Sequence, residues 1–270
     1  MLAQGVSGER LNGAAIDKAL VARRFSAAAG RYGDGAALQQ AGAAALLARL
    51  GKHPRGQRLL DLGCGTGAHL PVLATHATDL LAVDLAPSMV ARVQARGYQA
   101  LVADAEQLPL ADGSVDRIFS NLMVQWLDGL GPVLAECRRL LQPGGVALIS
   151  TLAEGSLAEL KSAFSAADGR AHINHFLPLA HIEAQVQAAG FARAEVKLQP
   201  FVSRYDEVRA LLRELKTLGA NALVGEARHQ PLSRRQLQAM ADHYEQWRSA
   251  DGLLPASWQL VVIELQRGQG

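Results

Sequence analysis

Residues 59–67 read Leu-Leu-Asp-Leu-Gly-Cys-Gly-Thr-Gly, and this stretch decides the fold class. An apolar run that ends in Asp61 is typical of a buried parallel strand. The glycines that follow predict a tight loop before a helix, because a residue without a Cβ atom lets a ligand lie directly against the backbone. The stretch therefore predicts a strand, a ligand-binding loop and a helix in that order.

A second acidic residue, Asp84, follows the apolar run of residues 80–83, where the next strand of a βαβ unit would end. A carboxylate at that place accepts hydrogen bonds from both hydroxyls of a ribose. We therefore expect a nucleoside-containing cofactor to lie against Gly63, Gly65 and Asp84. Leu85 and Met89, which come next along the chain, are further candidate cofactor-binding residues.

The glycine pattern alone leaves two cofactors open, because residues 63–68 also satisfy the nicotinamide fingerprint G-x-G-x-x-A. Asp61 favours S-adenosylmethionine instead. Its carboxylate can order the loop or hold the amino group of a methionine moiety, whereas a pyrophosphate gains nothing from a negative charge there. An acidic cluster after the next strand can meet an adenine edge, and its residues are Asp104, Ala105 and Glu106.

These motifs, followed by Leu140–Gly145 and a strand over 146–151, resemble in their order the class I S-adenosylmethionine-dependent methyltransferases. The resemblance implies an α/β, Rossmann-like, seven-stranded and mostly parallel sheet. Strands and helices that alternate from residue 58 to 151 independently predict a parallel sheet covered on both faces. Residues 206–251 interrupt this alternation with two amphipathic helices, which predicts a helical lid over about 205–252. We expect a loose tail over 1–16 and one domain over 17–270.

Composition narrows the function further. The chain has 270 residues, 49% of them hydrophobic, and a net charge of +2, which is too weak to imply a nucleic-acid partner. Cys64 and Cys137 have no metal-ligand spacing, so we expect no metal site. Neither a signal peptide nor a membrane-spanning run is visible, and the expected location is the cytoplasm.

Further candidates follow the strand over 117–120. Asn121 and neighbouring polar residues there can contact the methionine end of the cofactor, and Trp126 can form a wall of the methyl-transfer site or pack in the core. Tyr32 can close over the cofactor or pack its helix against the sheet. His172 can contact the substrate, although a lone histidine is more often a surface residue. The catalytic residues stay unknown, and no general base is expected if the nucleophile is a carboxylate, because such a group is already ionised at neutral pH.

Several longer motifs are similar to those of the malonyl-(acyl-carrier protein) O-methyltransferases of biotin synthesis. The segments that carry the resemblance are Phe25 to Tyr32, Asn121 to Trp126, Thr151 to Leu157, His172 to Leu177, Leu215 to Ala220 and Leu232 to Leu237. The last two are the most specific, because they lie in the predicted lid, which other methyltransferases lack. Trp258 stands where the resemblance leads us to expect a tyrosine.

The resemblance implies that the free carboxylate of a malonyl thioester is esterified. Arg209, Arg213 and Lys216 lie on the face of one predicted helix opposite its leucines. They can dock an acidic carrier protein, bind the malonyl carboxylate or simply form a solvated face. Carrier protein and coenzyme A stay open as thioester carriers. Two alternatives also remain, namely another small-acid or quinone methyltransferase and a non-catalytic cofactor-binding scaffold protein.

Overall fold

The structure, a computed structural model, describes residues 16–30, 37–170, 172–217 and 233–269. Tyr32 and most of the predicted N-terminal tail lie outside these residues. The strands are β1 (Gly56–Leu62), β2 (Ala77–Asp84), β3 (Gln99–Val102), β4 (Val115–Asn121), β5 (Leu141–Leu152), β6 (Arg193–Tyr205) and β7 (Leu254–Gln266). The helices are α1 (Lys18–Ala28), α2 (Ala37–Leu50), α3 (Leu70–Leu73), α4 (Pro87–Ala95), α5 (Gly131–Leu140), α6 (Ala158–Asp168), α7 (Leu179–Ala188), α8 (Val208–Thr217) and α9 (Arg234–Tyr244).

The strands form one seven-stranded sheet in the order β3-β2-β1-β4-β5-β7-β6. The pairs among β1 to β5 are parallel, and β7 runs antiparallel to both of its neighbours, β5 and β6. This architecture is the predicted α/β, Rossmann-like, seven-stranded and mostly parallel sheet.

Helices cover both faces of the sheet because alternate residues of its strands are apolar on opposite sides. In β1, Leu59 packs in the same core cluster as Leu46 of α2, whereas Leu60 packs with Leu134 of α5 on the other face. All four leucines are completely buried. The sheet is therefore a buried layer between two layers of helices, and the loops at its edge are the accessible places for a binding site.

The carboxyl ends of three central strands meet at one edge of this sheet. The parallel registers align Leu62 with Val83, and Asp61 with Phe119, so the residues that follow β1, β2 and β4 emerge together. Asp84 and Asn121 are the last residues of their strands. The fold thus brings the glycine loop and these two polar side chains to a common crevice, as the switch-point rule for open α/β sheets predicts.

One predicted strand is longer than expected. The sequence predicts a strand over 146–151, but β5 begins at Leu141 and continues through Pro143 and two glycines. Its first residue pairs with Val115, and the register shifts before the next pair. The prediction was too short because a proline and two glycines indicate a turn. In the structure, the N–H of Gly144 donates to the carbonyl oxygen of Arg267 (3.2 Å) and the N–H of Arg267 donates to that of Gly145 (2.9 Å), so hydrogen bonds to the segment after β7 hold these residues at the sheet.

Helices α8 and α9 stand between β6 and β7, where the lid was predicted. Val208, Leu211 and Leu215 of α8 are buried. Tyr244 of α9 is completely buried and donates a hydrogen bond from its hydroxyl to the carbonyl oxygen of Pro255 (2.8 Å). The two helices are therefore packed on the end of the sheet through their apolar faces.

Candidate functional site

The glycine loop is held against β2 and turns sharply. The backbone N–H groups of Gly63 and Cys64 both donate to the carbonyl oxygen of Val83, at 2.8 and 3.0 Å. Gly63 has a φ of +77°, and a Cβ atom added to it would lie 2.3 Å from Cγ of Met123. Gly63 therefore has two reasons to be glycine, a left-handed backbone and a close approach, and it lines the first cavity beside Gly65.

Asp84 lies in this cavity and is organised by the backbone. Its Oδ2 accepts a hydrogen bond from the N–H of Gly65 (2.9 Å), and its Oδ1 accepts one from the N–H of Ala86 (2.8 Å). Burial raises the pKa of this carboxyl, and the backbone donors partly oppose the shift. Each oxygen keeps acceptor capacity for another donor, so the carboxylate fits the two ribose hydroxyls of the predicted cofactor.

Asp61 lies just beneath the loop and is 2% exposed. Its Oδ2 is buried and has no hydrogen-bond partner among the described residues. Burial, and then the charge of Asp84, raise its pKa to about 8. A buried carboxyl without a partner fits a cationic ligand group, because a cation would remove the cost of ionising it. The α-ammonium group of S-adenosylmethionine is such a cation, although Asp61 does not itself line the cavity.

The acidic residues expected at the adenine edge are already engaged by α1. Asp104 and Ala105 line the cavity. Nζ of Lys18 binds both Oδ2 of Asp104 (2.6 Å) and the carboxylate of Glu106. Burial lowers the pKa of Lys18, but the hydrogen bonds and charges of the two carboxylates outweigh that effect and raise it. The ion pairs hold α1 across the cavity.

Two more candidates differ in their position. Leu85 lines the first cavity, but Met89 does not and is completely buried against Ala29 and Ala86. Glu106 is likewise absent from the lining. We interpret Met89 as support for the segment that carries Leu85. Its predicted contact with the cofactor stays a prediction.

Asn121 lines the first cavity and is fixed by hydrogen bonds. Its Nδ2 donates to the carbonyl oxygen of Gln39 (3.0 Å), and its Oδ1 accepts from Oγ of Ser150 (2.7 Å). A Cβ atom on Gly42 would lie 2.5 Å from Oδ1 of Asn121, so α2 packs closely here. Nδ2 also lies 3.3 Å from Nε2 of His69, whose pKa is lowered by burial. The amide is therefore held in one orientation by neutral neighbours.

A second cavity adjoins the first, and the two share Phe25, Gln39, Leu122 and Trp126 in their lining. The other residues that line it are Leu38, Gln125, Leu152, Leu157, Ile173, Asn174, Phe176, Leu215 and Trp258. The rings of Phe25 and Trp126 meet edge to face, with centroids 5.3 Å apart. Trp126 therefore stands at the boundary of two cavities, a position suited to a wall of the methyl-transfer site.

The described lining of the second cavity contains no acidic or basic side chain. Its polar side chains are three carboxamides, of Gln39, Gln125 and Asn174, and the indoles of Trp126 and Trp258. The indole nitrogen of Trp258 donates to Oγ of Ser203 (3.1 Å) and is thus satisfied outside the cavity. The polar residues after β4 were expected at the methionine end, but Gln125 lines only the second cavity.

Backbone strain also concentrates at the second cavity. Leu122 (φ +53°) and Leu157 (φ +56°) are the non-glycine residues with positive φ in the described part of the chain. Both line this cavity. A left-handed conformation costs a residue with a Cβ atom about 1–2 kcal/mol. Strain of this kind clusters at functional sites, where the surrounding structure holds it in place.

His172 lines neither cavity. Its Nε2 lies 2.9 Å from Oδ2 of Asp168, and its ring stacks on Phe164 with centroids 4.4 Å apart. These contacts connect the end of α6 to the segment that follows it. The structure gives His172 a packing environment, and its predicted contact with substrate is untested.

The three basic residues of the predicted lid face outward. Arg209, Arg213 and Lys216 are exposed and line neither cavity, whereas Leu215 of the same helix lines the second one. Arg213 also forms an ion pair with Glu207 (2.9 Å). Helix α8 therefore covers the cavity with its apolar face and presents its charges to the surroundings.

Sequence reasoning missed two parts of the site. It did not place Lys18, Val21 and Ala22 over the cofactor cavity, and it did not identify Gln39. The spacing of Lys18, Val21, Ala22 and Phe25 along one helix face was the available signal. Among the described residues there is no acidic, histidine and cysteine cluster suited to a metal, and no helix there is long and apolar enough to cross a membrane.

The sequence is similar to those of known methyltransferases. Residues 60–149 match the family described as "Methyltransferase domain". The chain is 40% identical over 254 residues to the malonyl-(acyl-carrier protein) O-methyltransferase of Serratia marcescens, with 93% of this chain and 97% of that protein covered. It is 37% identical to the protein of the same name from Methylococcus capsulatus, with coverages of 93% and 94%.

A solved structure is similar in fold. Phosphoethanolamine N-methyltransferase 2 of Haemonchus contortus, in complex with S-adenosyl-L-methionine, superposes with a TM-score of 0.54 at 21% identity. The superposition covers 84% of this chain and 52% of that one. At this identity the likeness shows the architecture, and the site of this chain rests on its own residues.

Proposed function

Since this chain belongs to the malonyl-(acyl-carrier protein) O-methyltransferase family, we propose that it transfers a methyl group to the free carboxylate of a malonyl thioester in biotin synthesis. Its cofactor is S-adenosylmethionine, as the sequence predicts, and the match to a methyltransferase domain excludes the nicotinamide alternative. When bound, this cofactor supplies a methyl group activated on a sulfonium. The chain's own residues must bind and orient the two reactants.

The observation that carries the proposal is the pair of adjoining cavities. The first is lined by Asp84, which is suited to ribose hydroxyls, and lies above the buried Asp61, and the second has no charged side chain in its described lining. Phe25 and Trp126 lie where the two meet. A bound cofactor in the first cavity would thus face an acceptor in the second, across a boundary formed by two aromatic rings.

The proposed chemistry requires no proton transfer. A malonyl carboxylate is ionised at neutral pH, so no general base is needed. In the proposed roles, Asp84 and Asp61 hold the cofactor, Asn121 fixes the rim between the cavities, and the aromatic pair excludes water. Excluding water strengthens electrostatic interactions in the site and prevents side reactions.

We propose that Arg209, Arg213 and Lys216 dock an acidic carrier protein rather than bind the malonyl carboxylate. Their exposure on the outer face of α8 supports docking, because a charged surface steers a partner of opposite charge. Contact with the carboxylate is less well supported, since Leu215 is the residue of this helix that lines the second cavity. The cytoplasmic location also stays a prediction, and both cysteines are buried free thiols.

Intact-protein mass spectrometry tests the activity. The chain is incubated with S-adenosylmethionine and, in parallel, with malonyl carrier protein, malonyl-coenzyme A and free malonate. We expect the malonyl carrier protein to gain the mass of one methylene group, in a hydrolysable ester. Methylation of free acids alone would indicate a small-acid methyltransferase. No product with any acceptor, despite cofactor binding, would indicate a scaffold protein.

A further inference from the structure

Gln125 occupies a rigid position at the second cavity. It lies in a single 3₁₀ turn, residues 124–126, in which the N–H of Trp126 donates to the carbonyl oxygen of Met123 (3.0 Å). Val124, the preceding residue, is 1% exposed and anchors the turn in the core. The Gln125 side chain therefore projects from a fixed piece of backbone into the lining of the cavity.

The carboxamide oxygen of Gln125 lacks a hydrogen-bond partner in the described part of the chain. Its Oε1 is buried and makes no hydrogen bond among the described residues. The other two carboxamides in this lining, of Gln39 and Asn174, are engaged in interactions of their own. Buried polar atoms in folded proteins are nearly always hydrogen-bonded, so Gln125 is the carboxamide in this lining that is best placed to bind a ligand.

The ligand's chemistry can be inferred from the charges of the reaction. An oxygen of the acceptor carboxylate forms a bond to the methyl carbon, the carbon–sulfur bond breaks, and its electron pair stays on sulfur. The negative charge on the carboxylate and the positive charge on the sulfonium both disappear. A cation against the carboxylate would stabilise the ground state more than the transition state and would slow the reaction.

A neutral donor avoids this penalty. A carboxamide has an oxygen that accepts and an NH₂ group that donates, and rotation about its last torsion exchanges their positions. We propose that Gln125 is a specificity-determining residue whose NH₂ group donates a hydrogen bond to the acceptor carboxylate, on the oxygen that does not attack. This inference rests on the proposed function. It explains how an uncharged lining can select an anionic acceptor.

The test compares two substitutions of nearly unchanged size. Gln125→Glu places a carboxylate against the acceptor carboxylate, and we expect KM for the malonyl thioester to rise about thirtyfold at neutral pH. Cofactor affinity, measured by calorimetry, stays within about twofold of the unsubstituted protein. Gln125→Met removes the donor without adding charge, and its KM rises about fivefold. Gln57→Glu, an exposed position outside both cavities, is the charge-matched control.

A pH profile separates hydrogen bonding from packing. As pH falls towards the pKa of the new glutamate, its protonated form donates an O–H, and the KM defect of Gln125→Glu shrinks. The defect of Gln125→Met does not change with pH. Equal, pH-independent defects in both variants would overturn the inference, because they would indicate a packing role. Unchanged KM in Gln125→Met would overturn it as well, and this variant also decides the matter if Gln125→Glu does not fold.

Failure of the proposed function gives a different result. If the unsubstituted protein binds S-adenosylmethionine but methylates no malonyl thioester, both the function and the role of Gln125 are contradicted. If it methylates malonyl thioesters and the variants behave as the control does, only the role of Gln125 is contradicted.

Discussion

The two cavities differ in their charged side chains. The first cavity is lined by Lys18, Asp84 and Asp104, and most of its other lining residues come from the strand ends and loops at β1, β2, β3 and β4. The second cavity has no charged side chain in its described lining and is assembled from segments between Phe25 and Trp258. In the proposed function, fixed charges hold the hydroxyls and the ammonium group of the cofactor, whereas a reaction that cancels two charges proceeds best in neutral surroundings.

The difference also appears in the backbone. The glycine loop uses glycines at positive φ, which adopt that conformation without strain, whereas Leu122, which lines both cavities, and Leu157, which lines only the second, adopt it with strain. The glycine loop is thus specified by local sequence, whereas packing holds the two leucines of the second cavity in strained positions. The following predictions test this contrast, beginning with the largest expected effect.

Gly63→Ala should disrupt the glycine loop that lines the first cavity. The new Cβ atom would lie 2.3 Å from Cγ of Met123, which lines that cavity. We expect the free energy of unfolding to fall by about 2–5 kcal/mol from strain and overpacking, with cofactor binding lost. Denaturant unfolding and calorimetry measure the two effects.

Gly97→Ala is the matched control for this substitution. Gly97 has a φ of +84°, but a Cβ atom there meets no heavy atom within 4 Å. Its free energy of unfolding should fall by only about 1–2 kcal/mol, the cost of a left-handed backbone for a residue with a Cβ atom, and it should bind the cofactor normally. Equal losses at both positions would show that the close approach to Met123 does not matter.

Asp84→Ala should weaken cofactor binding about tenfold to a hundredfold. Charge-assisted hydrogen bonds to the ribose hydroxyls contribute about 1.5–3 kcal/mol, and every 1.4 kcal/mol is about tenfold in affinity. Asp79→Ala, in the same strand, removes a carboxylate paired with Arg58 outside the cavity and serves as the control. Unchanged affinity in Asp84→Ala would remove this residue from the site.

Asp61→Asn should raise the free energy of unfolding of the ligand-free protein and lower its affinity for the cofactor. The folded-state pKa of Asp61 is about 8, well above that of an unfolded carboxyl. From about pH 4 to 8 the unfolded state loses this proton first, so Asp61 lowers stability as pH rises through that range. The ligand-free variant should therefore be more stable than the unsubstituted protein, by a margin that grows up to about pH 8 and then stays constant.

Cofactor affinity should change in the opposite direction. An ammonium group binds best to ionised Asp61, so affinity in the unsubstituted protein should rise with pH towards about 8. In Asp61→Asn it should be about tenfold weaker and lack this dependence. Calorimetric titrations across that range measure both. A pH-independent affinity in the unsubstituted protein would exclude Asp61 as the partner of the cofactor's cation.

Charge reversal of Arg209, Arg213 and Lys216 to glutamate should have the smallest effect, since these residues line neither cavity. We expect KM for malonyl carrier protein to rise about threefold to tenfold at low salt and less at high salt, because exposed charges are screened. The same reversal at Lys52, Arg92 and Arg193, all exposed, is the charge-matched control. An equal defect with malonyl-coenzyme A would contradict carrier docking.

The sequence by itself determined the fold and the main residues at the edge of the sheet that line the first cavity. Gly63 and Gly65 follow the end of β1, Asp84 and Asn121 end β2 and β4, and parallel strands bring those ends to one edge of the sheet. Met89 is buried in α4 and lies outside the lining of the first cavity, since closeness in sequence to Asp84 does not tell which face of a helix a residue occupies. Local backbone requirements are visible in a sequence, but the direction of a side chain relative to a distant partner is not.

Only the tertiary structure determined which residues line the second cavity. Gln125 was expected at the methionine end of the cofactor, yet it lines the second cavity, and Leu215 of α8 joins it there from a segment far along the chain. Lys18 of α1 likewise meets Asp104 only through packing of the N-terminal helix across the sheet edge. Such contacts depend on where amphipathic helices pack on the folded sheet. The hydrophobic effect that drives this packing is non-directional, so no short sequence motif predicts which residues will meet.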